Sequence, residues 1–171
     1  CMPRDTDTRI LKREVLAVHE WEESGKLFHI MRDSPCHYPK ILGGMFGMKR
    51  VVEIKNITEL IDKFFIENDK ENDQTFLEKY VYDYIKDNCI IHDEIRKLEG
   101  SLCKNFPIKY DTEFHHVGEY VFENENRDNY YKDRLKSHIL EHIPERIKYI
   151  DNIYIVHYSK LIERKEKLLK Q

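Results

Sequence analysis

The chain has 171 residues, a length that fits one domain with a sizeable hydrophobic core. Its 29 basic residues are balanced by 32 acidic ones, and the formal net charge of −3 argues against a dedicated nucleic-acid-binding protein, which would present a basic face. No apolar run is long enough to span a bilayer and no signal peptide is recognisable, so we expect no membrane span.

The four cysteines are scattered along the chain, and no two of them form a Cys-x-x-Cys pair. This pattern favours a reduced, cytoplasmic setting and argues against a zinc site built from cysteine pairs. We also expect the sequence to be part of a longer protein, because its most informative motif stands at its very start.

That motif is Arg4-Asp5-Thr6-Asp7-Thr8-Arg9. At the end of a strand, Asp5 and Asp7 would point the same way, because side chains alternate with a period of two. Two carboxylates directed at one point repel each other unless a cation lies between them, and Mg²⁺ or Mn²⁺ prefers such oxygen ligands. The flanking arginines could neutralise the carboxylates or bind phosphate oxygens. The alternative is a polar loop that caps the next helix.

The hydrophobic pattern then predicts a helix over residues 10–24, with Leu11, Val15 and Val18 on its apolar face and Trp21 at the edge of that face. The apolar run Leu27 to Met31 predicts a short strand, and a turn-rich stretch with two prolines follows it.

Three glycines lie within five positions in the segment from Ile41 to Met48. Glycines among large apolar residues indicate backbone that another group approaches closely. A helix is predicted behind Asn56, with Ile57, Leu60, Ile61 and Phe64 on one face.

Asp73 and Gln74 open a further predicted helix, whose apolar face comprises Phe76, Leu77, Tyr80, Val81, Tyr84 and Ile85. Cys89 to Ile91 predicts a buried strand that leads into His92. A last strand is predicted at 119–122 and a loop at 123–128.

The C-terminal part is predicted to hold a helix at 129–143, a strand at 153–156 and a charged helix at 159–170. We therefore predict an α/β protein with a main domain at 1–122, followed at 123–171 by a linker helix and a strand-helix segment that could begin a second domain.

Three segments together resemble a GT-A-type glycosyltransferase: Arg4 to Arg9, His29 to Pro35 and Gly43 to Gly47. The likeness is to a bacterial and large-virus family with Arg-Asp-x-Asp-Ser-Arg and Gly-Gly-Met-x-Gly motifs, and the motif order parallels the glycogenin-like retaining transferases. The resemblance covers residues 3–122. It implies the later part of a Rossmann-related, GT-A-like catalytic domain, followed by a helical and strand segment. The nucleotide pocket would then precede Cys1, and the fragment would be inactive alone.

The resemblance also implies a function: a metal-dependent transfer of a sugar from a nucleotide-sugar donor to a glycan or other acceptor. The implied site has four parts. The metal, Mn²⁺ or Mg²⁺, is held by Asp5, Asp7 and His92; the catalytic residues are Asp73 and Gln74; the donor contacts are Arg4, Arg9, Gly43, Gly44 and Met45; the acceptor contacts are Asp33 and His37. The usual small-residue motif has Asn or Ser before its glycine, whereas Leu42 stands here.

Other interpretations remain open. Asp33 and Asp73 could each cap a turn or a helix, and His37 and His92 could be structural. The segment from Asn152 resembles the start of a second glycosyltransferase domain, or is a plain strand and helix. The whole chain could be a helical interaction module. A haloacid-dehalogenase-like phosphatase also opens with Asp-x-Asp, but it needs Thr or Val where Arg9 stands.

Overall fold

The computed structural model describes residues 1–49, 56–67 and 73–142. In this part of the chain the helices are α1 (Lys12–Glu23), α2 (Ile57–Glu67), α3 (Asp73–Phe76), α4 (Tyr82–Ile85) and α5 (Asn129–Glu141). The strands are β1 (Phe28–Met31), β2 (Phe46–Met48), β3 (Cys89–His92) and β4 (Cys103–Lys104). A π-helical turn, Leu77–Val81, joins α3 to α4, and the 3₁₀ turns Lys86–Asn88 and Gly100–Leu102 precede β3 and β4.

Most predicted elements in the described range are confirmed. β1, α2, β3 and α5 lie where the apolar patterns at 27–31, 57–64, 89–91 and 129–143 indicated. The predicted strand at 153–156 and the predicted helix at 159–170 lie outside the described residues. The chain divides into two compact units, residues 1–135 and 136–171, and 136–142 is the described part of the second.

The strands form one mixed sheet with the order β2-β1-β3-β4. β1 is parallel to β3, with Met31 opposite His92, and antiparallel to β2, with Ile30 opposite Phe46. β3 is also parallel to β4. All four residues of β1 are buried, as expected for a strand that is covered on both faces of a sheet.

Two apolar clusters cover the two faces of this sheet. Phe28 and Ile30 pack in the first cluster, and Met31, on the opposite face, packs in the second. Besides Ile41 and Ile91, the first cluster draws its members from the helical stretch α2 to α4; besides Met45, the second draws them from α1 and the irregular 106–117 segment. The sheet is therefore covered on both faces. The predicted α/β class is confirmed. The first cluster consists of Phe28, Ile30, Ile41, Phe64, Phe76, Val81, Tyr82, Ile85 and Ile91, and the second of Ala17, Met31, Met45, Phe106 and Val117.

The predicted inner face of α1 is wrong. Ala17 and Trp21 are buried, but Val15 is 40% exposed, and the other buried positions are the charged residues Arg13 and Glu14. The charged side chains can face inward because each has an ionic partner there, as described below. The buried face of α1 is therefore rotated around the helix axis relative to the apolar stripe predicted from the sequence.

The predicted inner face of the helix behind Asp73 is also partly wrong. Tyr82 is 7% exposed and packs in the first cluster, whereas Tyr84 is 53% exposed. The π-helical turn Leu77–Val81 accounts for the difference, because its wider i→i+5 turn shifts every later residue around the helix axis.

The segment after β4 is less regular than predicted. Residues 119–122 form no sheet strand; instead Thr8 pairs with Tyr120 and Val121 pairs with Arg127 as isolated antiparallel bridges.

In α5, Leu135 is fully buried. All four cysteines are free thiols. None of the helices in the described ranges has the length and apolar character that crossing a membrane requires.

Candidate functional site

The candidate site lies at the carboxyl ends of the parallel strands β1 and β3. Backbone hydrogen bonds extend the ladder past both strand ends, from Met31 N to Met45 O over 3.0 Å and from Arg32 N to His92 O over 2.9 Å. A turn closed by the 3.0 Å bond from Met45 N to Leu42 O carries Gly43 and Gly44 to the same edge. Ligand sites of open α/β sheets lie at this edge.

The Asp5-Thr6-Asp7 motif reaches this edge in a turn and not at a strand end. Thr8 Oγ1 donates back to the carbonyl oxygen of Asp5 over 2.9 Å, and Val121 N donates to the carbonyl oxygen of Asp7 over 2.7 Å. The strand alternation that we used to align the two carboxylates therefore does not apply. Both Asp5 and Asp7 are exposed.

The glycine turn brings together two carboxylates that are far apart in sequence. A Cβ atom added to Gly43 would lie 2.3 Å from Asp73 Oδ2, and one added to Gly44 would lie 2.3 Å from Asp5 Oδ2. Neither glycine has a positive φ, so glycine is needed here for space and not for backbone conformation. Since consecutive Cα atoms are about 3.8 Å apart, the two carboxylates lie within roughly 12 Å of each other.

Arg4 fastens the motif to the glycine turn. Its Nη1 is 3.4 Å from the carbonyl oxygen of Gly44 and 3.2 Å from Glu14 Oε1, and its Nη2 donates to Thr8 Oγ1 over 3.0 Å. Burial raises the pKa of Glu14, and the charge of Arg4 opposes that rise. Arg4 is thus a structural link, whereas Arg9 is a surface residue paired with Glu125.

Asp73 and Gln74 open α3 beside the glycine turn. Asp73 is exposed, and its Oδ1 accepts the backbone N–H of Gln74 over 2.9 Å. Phe76, two residues later, is buried against Phe64, with ring centroids 5.4 Å apart. The carboxylate is therefore exposed, while the turn that carries it is anchored in the core.

His92 does not lie open beside these carboxylates. Its Nδ1 lies 2.8 Å from His29 Nε2, its Nε2 lies 3.2 Å from Glu20 Oε2, and burial lowers its pKa. Both ring nitrogens have protein partners, so the geometry argues against the predicted metal role. His92 fits the structural interpretation that the sequence left open.

Of the two predicted acceptor residues, Asp33 is enclosed and His37 is half-buried. Asp33 is fully buried; Arg13 Nη2 donates to its Oδ1 over 2.9 Å, Val117 N to its Oδ2 over 2.9 Å, and Tyr110 Oη to its Oδ1 over 2.7 Å. His37 Nδ1 accepts the backbone N–H of Asp33 over 2.9 Å. These bonds leave Asp33 no surface for an acceptor, which argues against that role.

Met45, a predicted donor contact, lies in the second apolar cluster and is 3% exposed. A Cβ atom added to Gly118 would lie 2.3 Å from its sulfur. The Met45 side chain therefore packs the core beneath the site and offers no open surface to a sugar.

One group of potential metal ligands does have its donor atoms close together. Among the residues described, Asp93, Glu99 and Cys103 are the group of three whose ligand atoms all lie within 4.8 Å of one another. However, the buried guanidinium of Arg32 binds both carboxylates, Asp93 Oδ2 at 2.8 Å and Glu99 Oε2. This cluster is a satisfied ion-pair network, so it does not need a metal to balance its charge.

Sequence reasoning missed the buried charges Arg13, Glu14 and Asp93. The signal was present at the strand ends, because β1 runs from Met31 into Arg32-Asp33 and β3 runs from Ile91 into His92-Asp93. An apolar strand followed by a basic residue and an aspartate, twice in one parallel sheet, indicates two polar clusters at one edge.

Comparison of the chain with protein-family models, with curated proteins and with solved structures found no match.

Proposed function

We propose that this chain carries catalytic residues of a metal-dependent glycosyltransferase that moves a sugar from a nucleotide-sugar donor to a glycan or other acceptor. One observation carries the proposal: the carboxylates of Asp5 and Asp73 lie against consecutive glycines at the carboxyl edge of the sheet. The motif resemblance gives these same residues separate roles in one site, and their proximity supports that assignment.

The donor atoms at this edge suit a hard divalent cation. Mg²⁺ and similar ions are commonly bound by one or two carboxylates, with phosphate oxygens and water completing the shell. Asp5 and Asp7 are exposed and close in the chain, and the carboxylate of Asp5 lies against Gly44, where any side chain would overlap it. We assign the metal to Asp5 and Asp7 and leave His92 out. A bound Mn²⁺ or Mg²⁺ would screen the charge that develops on the departing diphosphate.

Asp73 takes the position nearest the reacting carbon in this proposal. A carboxylate there stabilises the positive charge that builds up at the anomeric centre, as in glycoside hydrolysis. At the start of this helix the backbone N–H of Gln74 donates to Asp73 Oδ1 over 2.9 Å, which helps to orient the carboxylate. Anchoring through Phe76 holds the group in place, and catalysis depends on such positioning.

Arg9 is the cation best placed to meet the donor phosphates. Arg9 is partly exposed, and its partner Glu125 is a surface residue. A donor phosphate could therefore replace Glu125 on Arg9 without disrupting a buried contact. Arg4 contributes indirectly. It holds the turn of residues 5–8, which we call the motif turn, against the carbonyl oxygen of Gly44.

The test is a transfer assay on the full-length protein with a panel of UDP- and GDP-sugars, with Mn²⁺ and with excess chelator. We expect activity that requires the metal. Asp73→Asn should lower kcat by roughly a hundredfold or more, because a preorganised charge at the reacting centre is removed, while Mn²⁺ affinity is retained. Asp62→Asn, on the exposed side of α2, is the matched control. Full activity in chelator, or normal turnover of Asp73→Asn, would refute the proposal.

A further inference from the structure

Two aromatic rings stand exposed beside the motif turn. Tyr120 is 43% exposed and Phe122 is 42% exposed, and their ring centroids lie 4.9 Å apart at an interplanar angle of 84°. Val121 between them is buried. The alternation turns both rings outward together, and we call this pair the aromatic platform.

The aromatic platform is held by a short hairpin. Val121 pairs with Arg127 across it, and Phe122 N donates to the carbonyl oxygen of Asn126 over 2.9 Å. Arg127 forms an ion pair of 2.5 Å with Glu119, whose side chain is 1% exposed. The backbone beneath both rings is therefore fixed, and a fixed surface loses little conformational entropy when it binds a ligand.

The aromatic platform adjoins the turn that carries Asp5 and Asp7. Tyr120 pairs directly with Thr8, and Val121 N donates to the carbonyl oxygen of Asp7 over 2.7 Å. The backbone that carries the two rings therefore lies directly beside the motif turn.

We propose that the aromatic platform binds a hexopyranose unit of a glycan, in the position of the acceptor. That this sugar is the acceptor of the transfer reaction rests on the function proposed above. A pyranose ring has an apolar face of C–H groups, which packs on the electron-rich face of an aromatic ring, and a rim of hydroxyl groups. The turn beside the rings supplies exposed partners for such hydroxyls, namely the amides of Asn124 and Asn126, and the carboxylate of Glu125, which is shared with Arg9.

The surrounding polarity favours a sugar over a protein partner. Single exposed aromatic residues are common on protein surfaces, but patches that bind other proteins are larger and contiguous in their apolar area. Here two rings stand next to amides, carboxylates and an arginine, a mixture that matches the alternating apolar and hydroxyl surface of a glycan.

The test uses saturation-transfer NMR and calorimetry with maltoheptaose, cellohexaose, mannohexaose and chitohexaose, in chelator and without nucleotide. We expect at least one of these oligosaccharides to bind the wild-type protein. The double variant Tyr120→Ala/Phe122→Ala should bind it roughly tenfold more weakly, while Tyr120→Phe, which keeps the ring, should retain binding. Tyr84→Ala removes an exposed tyrosine elsewhere and is the matched control.

Each result decides the proposal. Failure of every oligosaccharide to bind, or equal binding by the double variant, would overturn it. Conversion of a wild-type dimer to a monomer by the double variant, measured by light scattering, would also overturn it, because the rings would then bind a second copy. Mn²⁺ binding is measured separately. If the glycan binds through the two rings but no Mn²⁺ binds, the result supports the aromatic platform and refutes the proposed transferase function.

Discussion

At the scale of single residues, Gly43 and Gly44 let two side chains approach the backbone closely. The approaching groups are the carboxylates of Asp73 and Asp5. No local pattern could identify them, because both lie far from the glycines in sequence.

Gly44→Ala is the corresponding test. The new methyl group would overlap the carboxyl group of Asp5, whose Cγ lies 2.6 Å from the added Cβ position. Because Asp5 is exposed and can turn away, we expect the melting temperature to change little and Mn²⁺ affinity to fall by about tenfold or more. Calorimetry and thermal unfolding measure the two effects.

Gly25→Ala is the control with the opposite expectation. A Cβ atom there meets open space, but Gly25 has φ +73°, a left-handed conformation that strains an L-residue. We expect a loss of about 1 kcal/mol in the free energy of unfolding, with Mn²⁺ affinity unchanged. Loss of stability without loss of metal affinity in Gly44→Ala would contradict our account of that residue.

The geometry of Asp33 argues against its predicted contact with the acceptor and indicates a structural role. It is fully buried and binds Arg13, which is itself 3% exposed and lies 3.9 Å over the ring of Tyr110. Asp33→Asn removes the fully buried one of the two counter-charges of Arg13 and leaves only Glu94, so we expect a loss of about 3–5 kcal/mol in the free energy of unfolding. Urea denaturation measures it.

The matched control is Lys86→Ala, which removes one partner of an exposed ion pair with Asp83 and should leave the urea midpoint unchanged. If Asp33→Asn unfolds at the wild-type urea concentration but raises the acceptor KM, the sequence-based role of Asp33 would be correct after all.

At the scale of elements, the existence of a helix was easier to predict than the face it buries. α1 was expected over 10–24 and spans Lys12–Glu23, yet its inner face carries Arg13 and Glu14. Apolar periodicity assigns charged residues to solvent. It cannot anticipate partners such as Asp33 and Arg4, which other parts of the chain supply.

The helix behind Asp73 offers a direct test of its π-helical turn. Because the turn shifts Tyr82 into the core, Tyr82→Ala removes a core ring and its 2.6 Å hydrogen bond to Glu99, which costs about 3–5 kcal/mol. Tyr84→Ala should cost less than about 1 kcal/mol, since that ring is largely exposed. Denaturation of the two variants measures the difference, and the reverse order would indicate an uninterrupted α-helix.

At the scale of the whole molecule, buried histidines set the dependence of stability on pH. Desolvation lowers the pKa of His29 and of His37 to about 3 and that of His116 to about 4. Unfolded histidines titrate near 6.5. Between these values the unfolded chain binds more protons than the folded chain, so each histidine makes the protein less stable as the pH falls.

Asp33 acts in the opposite direction, because burial raises its pKa to about 6 and the folded chain then takes up a proton before the unfolded chain does. With three histidines against this one carboxyl group, we expect the free energy of unfolding to fall by roughly 2–3 kcal/mol per pH unit near pH 5. Urea denaturation at pH 7 and pH 5 measures it, and His116→Gln should reduce the slope by about half, because it removes one of about two net protons. Equal stability at both pH values would contradict the burial of these rings.

The α/β class was predictable because it follows from alternating strand and helix patterns, each of which is local. The site was predictable in part. The motif comparison selected Asp5, Gly43, Gly44 and Asp73, which lie together, but it also selected Asp33 and His92, whose polar atoms are occupied inside the fold. Residue type and order cannot distinguish an exposed carboxylate from one that neutralises a buried arginine, because that depends on long-range packing.

The most direct test of the central claim is a titration of the protein with Mn²⁺, followed by electron paramagnetic resonance, with and without UDP or GDP. We predict one Mn²⁺ per chain, bound more tightly with a nucleotide diphosphate. Asp5→Asn and Asp7→Asn should lose it, and Cys103→Ser, at the other acidic cluster, should retain it. Absence of Mn²⁺ binding in the wild-type protein, or its loss in Cys103→Ser with retention in Asp7→Asn, would contradict the account.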